Sequence, residues 1–368
     1  MIDNVEKNKC NGCYACYNIC PVDAIAMTPD AEGFNYPSID YDKCIKCEKC
    51  STVCTVTNTP QKENLSVPKV FAGWSLNEEV RIKSTSGGVF TELAMQVLKM
   101  SGYICGAIYK DDHMVEHYIT CNMYDLEKIR QSKYVQSSIN MIYRKIGNIL
   151  IDNKLVLFCG TPCECAGLYQ YLKCCSIQQT KLILIDFVCR GSNSPKVYQL
   201  FLQQLESEYG SKVERVWFKN KTFGWNRFAT KIDFDNGESY LHDRNSDYYI
   251  RGYIEANLYL RPSCGDCAYK GFPRISDITL GDFWGVELED KSKNTDKGTS
   301  LVFINSSVGE ALFNAIRDYI FFEKKELSDA TKGNPCIYKS IIHGYDRDKF
   351  MKDIDKINII ENIKRFLD

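Results

Sequence analysis

From about Lys69 onward, short apolar runs alternate with amphipathic stretches, a pattern that predicts strands flanked by helices. In residues 87–99 (GGVFTELAMQVLK), Phe90, Leu93, Val97 and Leu98 recur at helical spacing, and Tyr103 to Tyr109 then reads as a strand. Two later runs, Lys154 to Cys159 (KLVLFC) and Leu182 to Cys189 (LILIDFVC), are continuously apolar, as strands buried on both faces are. A helical segment near Glu164 to Leu172 lies between them. Together they predict a β-α-β unit with a right-handed crossover in a mostly parallel sheet. Ser194-Pro195 opens an amphipathic helix over 194–209, with serine as cap and proline in the first turn. Asn236-Gly237, set between two alternating runs, signals a hairpin. The expected architecture is α+β or mixed α/β, and residues 320–368 suggest a terminal helix.

The first part of the chain follows a different rule. Cys10, Cys13, Cys16 and Cys20 are spaced C-x2-C-x2-C-x3-C, and Cys44, Cys47, Cys50 and Cys54 repeat that spacing 34 residues on. Three thiolates in a short loop hold three corners of a 4Fe-4S cubane, while the fourth cysteine reaches the other cluster. The ligand sets therefore cross: Cys10, Cys13, Cys16 and Cys54 for one cluster, and Cys44, Cys47, Cys50 and Cys20 for the other. Pro21 after Cys20 completes the bacterial ferredoxin signature, whereas Thr55 follows Cys54. Zinc is the competing metal, but a structural zinc site uses four ligands, not eight in this repeat. Residues 1–58 thus read as a ferredoxin-type domain with two 4Fe-4S clusters. Residues 55–68 (TVTNTPQKENLSVP), polar and with two prolines, read as a linker.

Composition narrows the class. With 368 residues and 44% hydrophobic content, the chain can bury the cores of two or three domains. Lys and Arg total 46 against 47 Asp and Glu, so no basic field calls for nucleic acid or an anionic membrane. No apolar stretch approaches the roughly 20 residues that span a bilayer. The N-terminus has no signal-like region, and the 19 cysteines fit a reducing cytoplasm better than a disulfide framework.

Further cysteines sit in turns after the two buried strands, GTPC at Gly160 to Cys163 and VCRG at Val188 to Gly191, where parallel sheets gather ligand sites. A C-x2-C pair, Cys264 and Cys267, follows Arg261-Pro262. Cys163, Cys189, Cys264 and Cys267 can converge on one more cluster, although core packing of single cysteines, a zinc pair or a redox dithiol fits the same spacing. Ser84-Thr85-Ser86-Gly87-Gly88 precedes an amphipathic helix, a setting for an anion such as a dinucleotide pyrophosphate, yet a Gly-Gly cap also occurs without any ligand. It is not a G-x-G-x-x-G fingerprint.

Six blocks in order, STSGGVFTEL, QSKYVQSS, FCGTPCECAGL, DFVCRGSNSPKV, RPSCGDCAYKG and SDITLGDFWG, resemble the family of coenzyme F420-reducing hydrogenase beta subunits across residues 68 to 305. The resemblance implies a non-Rossmann FAD domain, in parts 68–150 and 151–325, followed by a helical extension over 326–368. It implies a third 4Fe-4S cluster on Cys163, Cys189, Cys264 and Cys267. Ser86, Gly87, Gly88 and Thr91 would meet the FAD, with Lys133, Tyr134 and Ser137 nearby and Gly281 and Asp282 closing the pocket. Cys165 stands where the family has an apolar residue, so the choice between Cys163 and Cys165 stays open; Arg190 stands where histidine is frequent.

The expected function is an iron-sulfur flavoprotein oxidoreductase that moves electrons between ferredoxin, or another one-electron carrier, and a small-molecule substrate exchanging hydride, with coenzyme F420 as one candidate. The alternative is a non-catalytic electron-transfer subunit of a larger redox complex; a homo-oligomer is equally compatible with the sequence. Lys133 and Arg190 are the catalytic candidates, as cations that stabilise a reduced flavin or an anionic substrate. The four histidines lie outside the blocks and read as surface or core residues.

Overall fold

The computed structural model describes residues 2–293 and 295–367. The cysteine-rich start carries a two-stranded antiparallel sheet, β1 (Ile25–Pro29) and β2 (Asn35–Ile39), and a short helix, Ala15–Ile19. Behind it stand β3 (Lys69–Ser75), β4 (Tyr103–Tyr109), β5 (Val115–Thr120), β6 (Val156–Cys159) and β7 (Leu182–Phe187), followed by β8 (Val213–Asn220), β9 (Ala229–Phe234) and β10 (Ser239–Asp243). The last strands are β11 (Ile278–Asp282), β12 (Ser300–Ile304) and β13 (Ile320–Lys325).

Eight of these form one sheet in the order β13-β3-β12-β11-β7-β6-β4-β5, while β8, β9 and β10 form a separate three-stranded sheet. The predicted β-α-β unit is there: β6 and β7 pair in parallel, joined by helix Pro162–Cys174, whose Thr161 and Glu164 close a capping box. A mostly parallel sheet is not what forms. Only β4, β6, β7 and β11 run parallel to their neighbours in the centre, and β3, β12, β13 and β5 flank them antiparallel. The two continuous apolar runs, β6 and β7, do pair in parallel, but that pattern says nothing of the flanking strands, which pair antiparallel.

Other local expectations hold closely. Helix Val89–Lys99 buries Leu93, Val97 and Leu98 against the β4, β6 and β7 face, and Ser194 caps helix Pro195–Tyr209 by accepting from the Val197 amide at 3.1 Å. Asn236-Gly237 turns the β9–β10 hairpin. The terminal-helix expectation fails at its start: Ile320–Lys325 is an edge strand on β3, and three short helices follow, Leu327–Gly333, Tyr345–Lys352 and Ile359–Lys364. Residues 55–68 lack strands until Lys69, but are tied down: Asn64 Nδ2 donates to the Arg274 and Ser276 carbonyls, and Lys62 pairs with buried Asp277 at 2.6 Å.

The cysteine-rich start is docked on this body by named polar contacts. Arg261, with 1% of its surface exposed, donates from Nε to the Cys10 carbonyl at 2.8 Å, from Nη1 to Gln136 at 2.9 Å and from Nη2 to the Asn35 carbonyl at 3.0 Å. Its guanidinium also lies over the Tyr36 ring at 4.3 Å. Arg144 reaches the Asn18 and Cys20 carbonyls from the other side.

Candidate functional site

Cysteines line two cavities, and a third, larger one adjoins the second of them. Cys20, Cys44, Cys47 and Cys50 line one cavity beneath the surface, together with Pro21, Val22 and Ile45. Cys47 is exposed there, whereas Cys20 is buried. Cys10, Cys13, Cys16 and Cys54 form a second group, close enough to act on one another electrostatically: burial pushes the Cys13 thiol up to about 12, and Cys10 and Cys54 add to the rise. Cys16 is pushed well up for the same reasons, burial first and then Cys13, Cys10 and Cys54. The structure thus brings Cys20 together with Cys44, Cys47 and Cys50, and Cys54 together with Cys10, Cys13 and Cys16. Thiols held this way favour the protonated form until a metal draws off the proton.

Cys163, Cys189, Cys264 and Cys267 come together around a second cysteine-lined cavity, with Arg190, Lys270 and Arg274 in its wall. The fold explains the meeting. Cys163 begins the helix after β6, Cys189 follows β7, and the Pro262–Asp266 turn carries Cys264 across, its Sγ accepting from the Ser192 amide at 3.4 Å. Cys165 faces elsewhere: it is fully buried in the core, its thiol 3.5 Å from the Ile185 carbonyl. Geometry therefore selects Cys163 over Cys165 as the cavity cysteine. Cys336, which has no ligand spacing in the sequence, also reaches this wall.

Four cysteines lining one hollow match in number and kind the ligand set of a cubane. Among the described residues no group of three or more His, Cys, Asp or Glu side chains is gathered so as to hold a single metal ion. Arg274, part of the wall of this hollow, keeps two buried donors, Nε and Nη2, without an acceptor, while the Tyr269 hydroxyl in the same wall is within reach of Thr55. Tyr269 interacts electrostatically with Cys13 as well as with Cys163 and Cys267, and Cys13 packs against Gly167 on the helix that carries Cys163.

The third cavity is by far the largest, about 670 Å³, within the range of cofactor and small-molecule sites. It shares Cys189, Arg190 and Cys336 with the cysteine cavity beside it. Ser86, Gly88, Thr91, Lys133, Tyr134, Ser137, Arg190, Gly281 and Asp282 all line it. Gly88 caps helix Val89–Lys99 with φ of +88°, so the positive end of that helix opens into the cavity. Thr91 there has a buried hydroxyl with no partner. Gly87 sits behind the wall; a Cβ on it would come within 2.4 Å of the Gly73 carbonyl, so its smallness lets the loop pack on β3.

The two candidate cations are held differently. Lys133 Nζ sits 2.9 to 3.2 Å from four backbone carbonyls, those of Lys128, Ile129, Arg130 and Gln131, and its three N–H groups are shared among them, which ties down the end of helix Leu126–Ile129. Burial lowers its pKa to about 7. Arg190 is anchored on Asn257 Oδ1 at 2.8 Å and on the Ile254 carbonyl, and its Nε has no partner.

Some residues in the wall or just behind it have no role assigned by the sequence. Lys219 is buried against Asp282 and lies over the Trp284 ring at 4.4 Å, while Trp225 stacks on Trp284 and donates to Asp282 at 3.0 Å. Lys221 Nζ holds the Ser86 carbonyl at 2.6 Å and so braces the Ser84 to Gly88 loop. His117 is no surface histidine: it lines the cavity, buried, with Nδ1 at 2.7 Å from Ser137 Oγ. Asp186 lines it too, and an acid inside the apolar run LILIDFVC is a signal that the sequence does carry. Lys219 and Lys221 have none, since only tertiary packing brings them in.

Residues 153–330 match the family model for the C terminus of the coenzyme F420 hydrogenase/dehydrogenase beta subunit, and residues 9–58 match the 4Fe-4S dicluster domain. The F subunit of the F(420)H(2) dehydrogenase of Methanosarcina mazei is 21% identical over 352 residues, covering 92% of this chain and 89% of the relative. An uncharacterized protein of Methanocaldococcus jannaschii is 24% identical over 344 residues, covering 84% of this chain and 86% of the relative. Among solved structures, a chain of the F420-reducing NiFe hydrogenase complex from Methanosarcina barkeri aligns with a TM-score of 0.49 at 18% identity, over 83% of this chain and 94% of that one. Among the described residues no helix is long and apolar enough to cross a membrane.

Proposed function

We propose, from the premise that this chain is an iron-sulfur protein related to the coenzyme F420 hydrogenase/dehydrogenase beta subunits, that it converts between one-electron and hydride chemistry. A one-electron carrier such as ferredoxin meets the exposed Cys47 side. The large cavity holds FAD together with a small organic substrate, and the inner cysteine cavity holds a third 4Fe-4S cluster between the two ends. The carrying observation is adjacency: Cys189 and Arg190 belong to the walls of both inner and large cavities, and Cys13 packs against Gly167 on the helix that carries Cys163. FAD supplies two-electron hydride chemistry when bound, and the clusters supply single electrons.

The chain's own residues have distinct tasks in this reading. The Gly88 end of helix Val89–Lys99 and the unpartnered Thr91 hydroxyl receive the anionic part of the cofactor. Lys221 keeps the Ser84 to Gly88 loop in place. Arg190 presents positive charge where a reduced ring or an anionic substrate gains most from it. Lys133 acts through position, fixing the backbone that carries Tyr134 and Ser137. A deazaflavin of the F420 type is one substrate of the right class.

A second reading keeps the clusters but places the catalytic step on another chain; that the Methanosarcina mazei relative is named as one subunit of a dehydrogenase favours it. Mixing anaerobic, flavin-loaded protein with reduced ferredoxin separates the two. Bleaching of bound flavin, followed by reoxidation on adding an organic acceptor, supports the converter. Oxidation of ferredoxin only when a partner chain is added supports the relay.

A further inference from the structure

Arg274 is the least explained buried charge in the described structure. It is 4% exposed, forms part of the wall around Cys163, Cys189, Cys264 and Cys267, and leaves Nε and Nη2 without an acceptor. Its one ionic contact is from Nη1 to Asp186 Oδ2 at 3.5 Å. Asp186 belongs to the wall of the large cavity and is 1% exposed, its other oxygen accepting from Thr279 Oγ1. Two desolvated N–H groups left unpaired cost free energy comparable to lost charged hydrogen bonds, so a fold that keeps them has an acceptor to offer them. A cubane bound by four thiolates is that acceptor: it is anionic, and its sulfurs accept hydrogen bonds.

We propose that Arg274 is a positioning residue that sets the reduction potential of the inner cluster, donating to its sulfurs from Nε and Nη2, with Asp186 moderating that charge from the side of the large cavity. The proposal rests on the third cluster in the reading above. One-electron reduction adds one negative charge and moves no proton or bond, so a fixed guanidinium favours the reduced form and raises the potential. Asp186 opposes this, since its carboxylate offsets part of the guanidinium charge. The two side chains therefore act with opposite sign on the same couple.

The test is an anaerobic redox titration followed by electron paramagnetic resonance, on the whole protein. A Cys264→Ser variant first identifies the inner signal by its loss, together with about four irons per chain. If that variant keeps the iron content and every signal of the unaltered protein, the third cluster itself fails, and not merely the role of Arg274. With the signal identified, Arg274→Gln is expected to lower its midpoint by about 59 mV, a tenfold change in the one-electron equilibrium. Arg274→Lys, which keeps the charge, holds most of the original value. Asp186→Asn shifts the midpoint upward. An unchanged midpoint in fully loaded Arg274→Gln overturns the proposal, as does an equal fall in Arg274→Lys. Should Arg274→Gln not fold, Asp186→Asn decides alone, and no shift or a downward one overturns it.

Discussion

The N-terminal module and the inner cysteine cavity reach one end by opposite means. The module takes eight cysteines from two stretches of sequence and gives them little other structure, a two-stranded sheet and short helices. Cys16, Cys20 and Cys54 are buried there beside Ile19, Ile25 and Val53, in an apolar cluster that runs on into the body through Tyr143, Phe158 and Leu168. The inner cavity takes one cysteine from the helix after β6, one from the turn after β7 and two from a turn some seventy residues later. The eight-stranded sheet sets the first two of these through the carboxyl ends of β6 and β7. The module's cysteines depend on local spacing, the inner ones on the sheet.

Iron removal gives the largest expected difference. A strong chelator under anaerobic conditions should unfold the module, since so small a core lacks the buried area to stand without its clusters. Hydrogen exchange is expected to show protection lost over 9–58 and retained in β4, β6 and β7; equal loss in both regions would erase the contrast.

Single cysteine changes come next. Cys16→Ser and Cys267→Ser are each expected to cost about four irons per chain, whereas Cys165→Ser costs none, because its thiol faces the Ile185 carbonyl and not a cavity. Iron analysis with absorption spectra reads all three. Loss of iron in Cys165→Ser, with Cys163→Ser unaffected, would reverse the choice between the two.

Arg261 joins the two regions, so its loss should be felt in both. Arg261→Ala leaves the Cys10 and Asn35 carbonyls and Gln136 without their donor in a buried place, at a cost of about 3 kcal/mol. Denaturant midpoints are expected to fall accordingly, and 9–58 should become the more readily cleaved segment in limited proteolysis.

The smallest effect belongs to the body alone. Asp247 is fully buried at the start of helix Tyr248–Ile254, and burial raises its carboxyl from 3.8 to about 6. A raised acid favours folding in its protonated form, so its contribution is complete below about pH 4 and is lost as pH rises through 6, amounting to about 3 kcal/mol in all, of which under half falls between pH 5 and pH 7. Denaturation between pH 5 and pH 7 should show this slope, and Asp247→Asn should flatten it.

How much was legible follows the same division. The module's ligand sets could be read because C-x2-C-x2-C-x3-C is local, and the spacing itself fixes which thiols share a loop. For the inner set, the sequence alone offered three motifs and several uses for them, because only the carboxyl ends of β6 and β7 bring Cys163 and Cys189 to Cys264 and Cys267. Helix Val89–Lys99 and β4 were legible from periodicity, since both are set by neighbours in sequence. The antiparallel flanks β3, β12 and β13 were not, because pairing direction is a property of distant segments. For the same reason Ile320–Lys325, read as the start of a helix, becomes an edge strand on β3. Arg274 and Lys219 carried no signal at all; a charged residue becomes informative only once it is seen to be buried.

Anaerobic purification followed by iron and flavin quantification tests the central claim most directly. Three cubanes and one bound flavin predict about twelve irons and one FAD per chain. About eight irons, with the large cavity unable to retain or take up flavin, would contradict it.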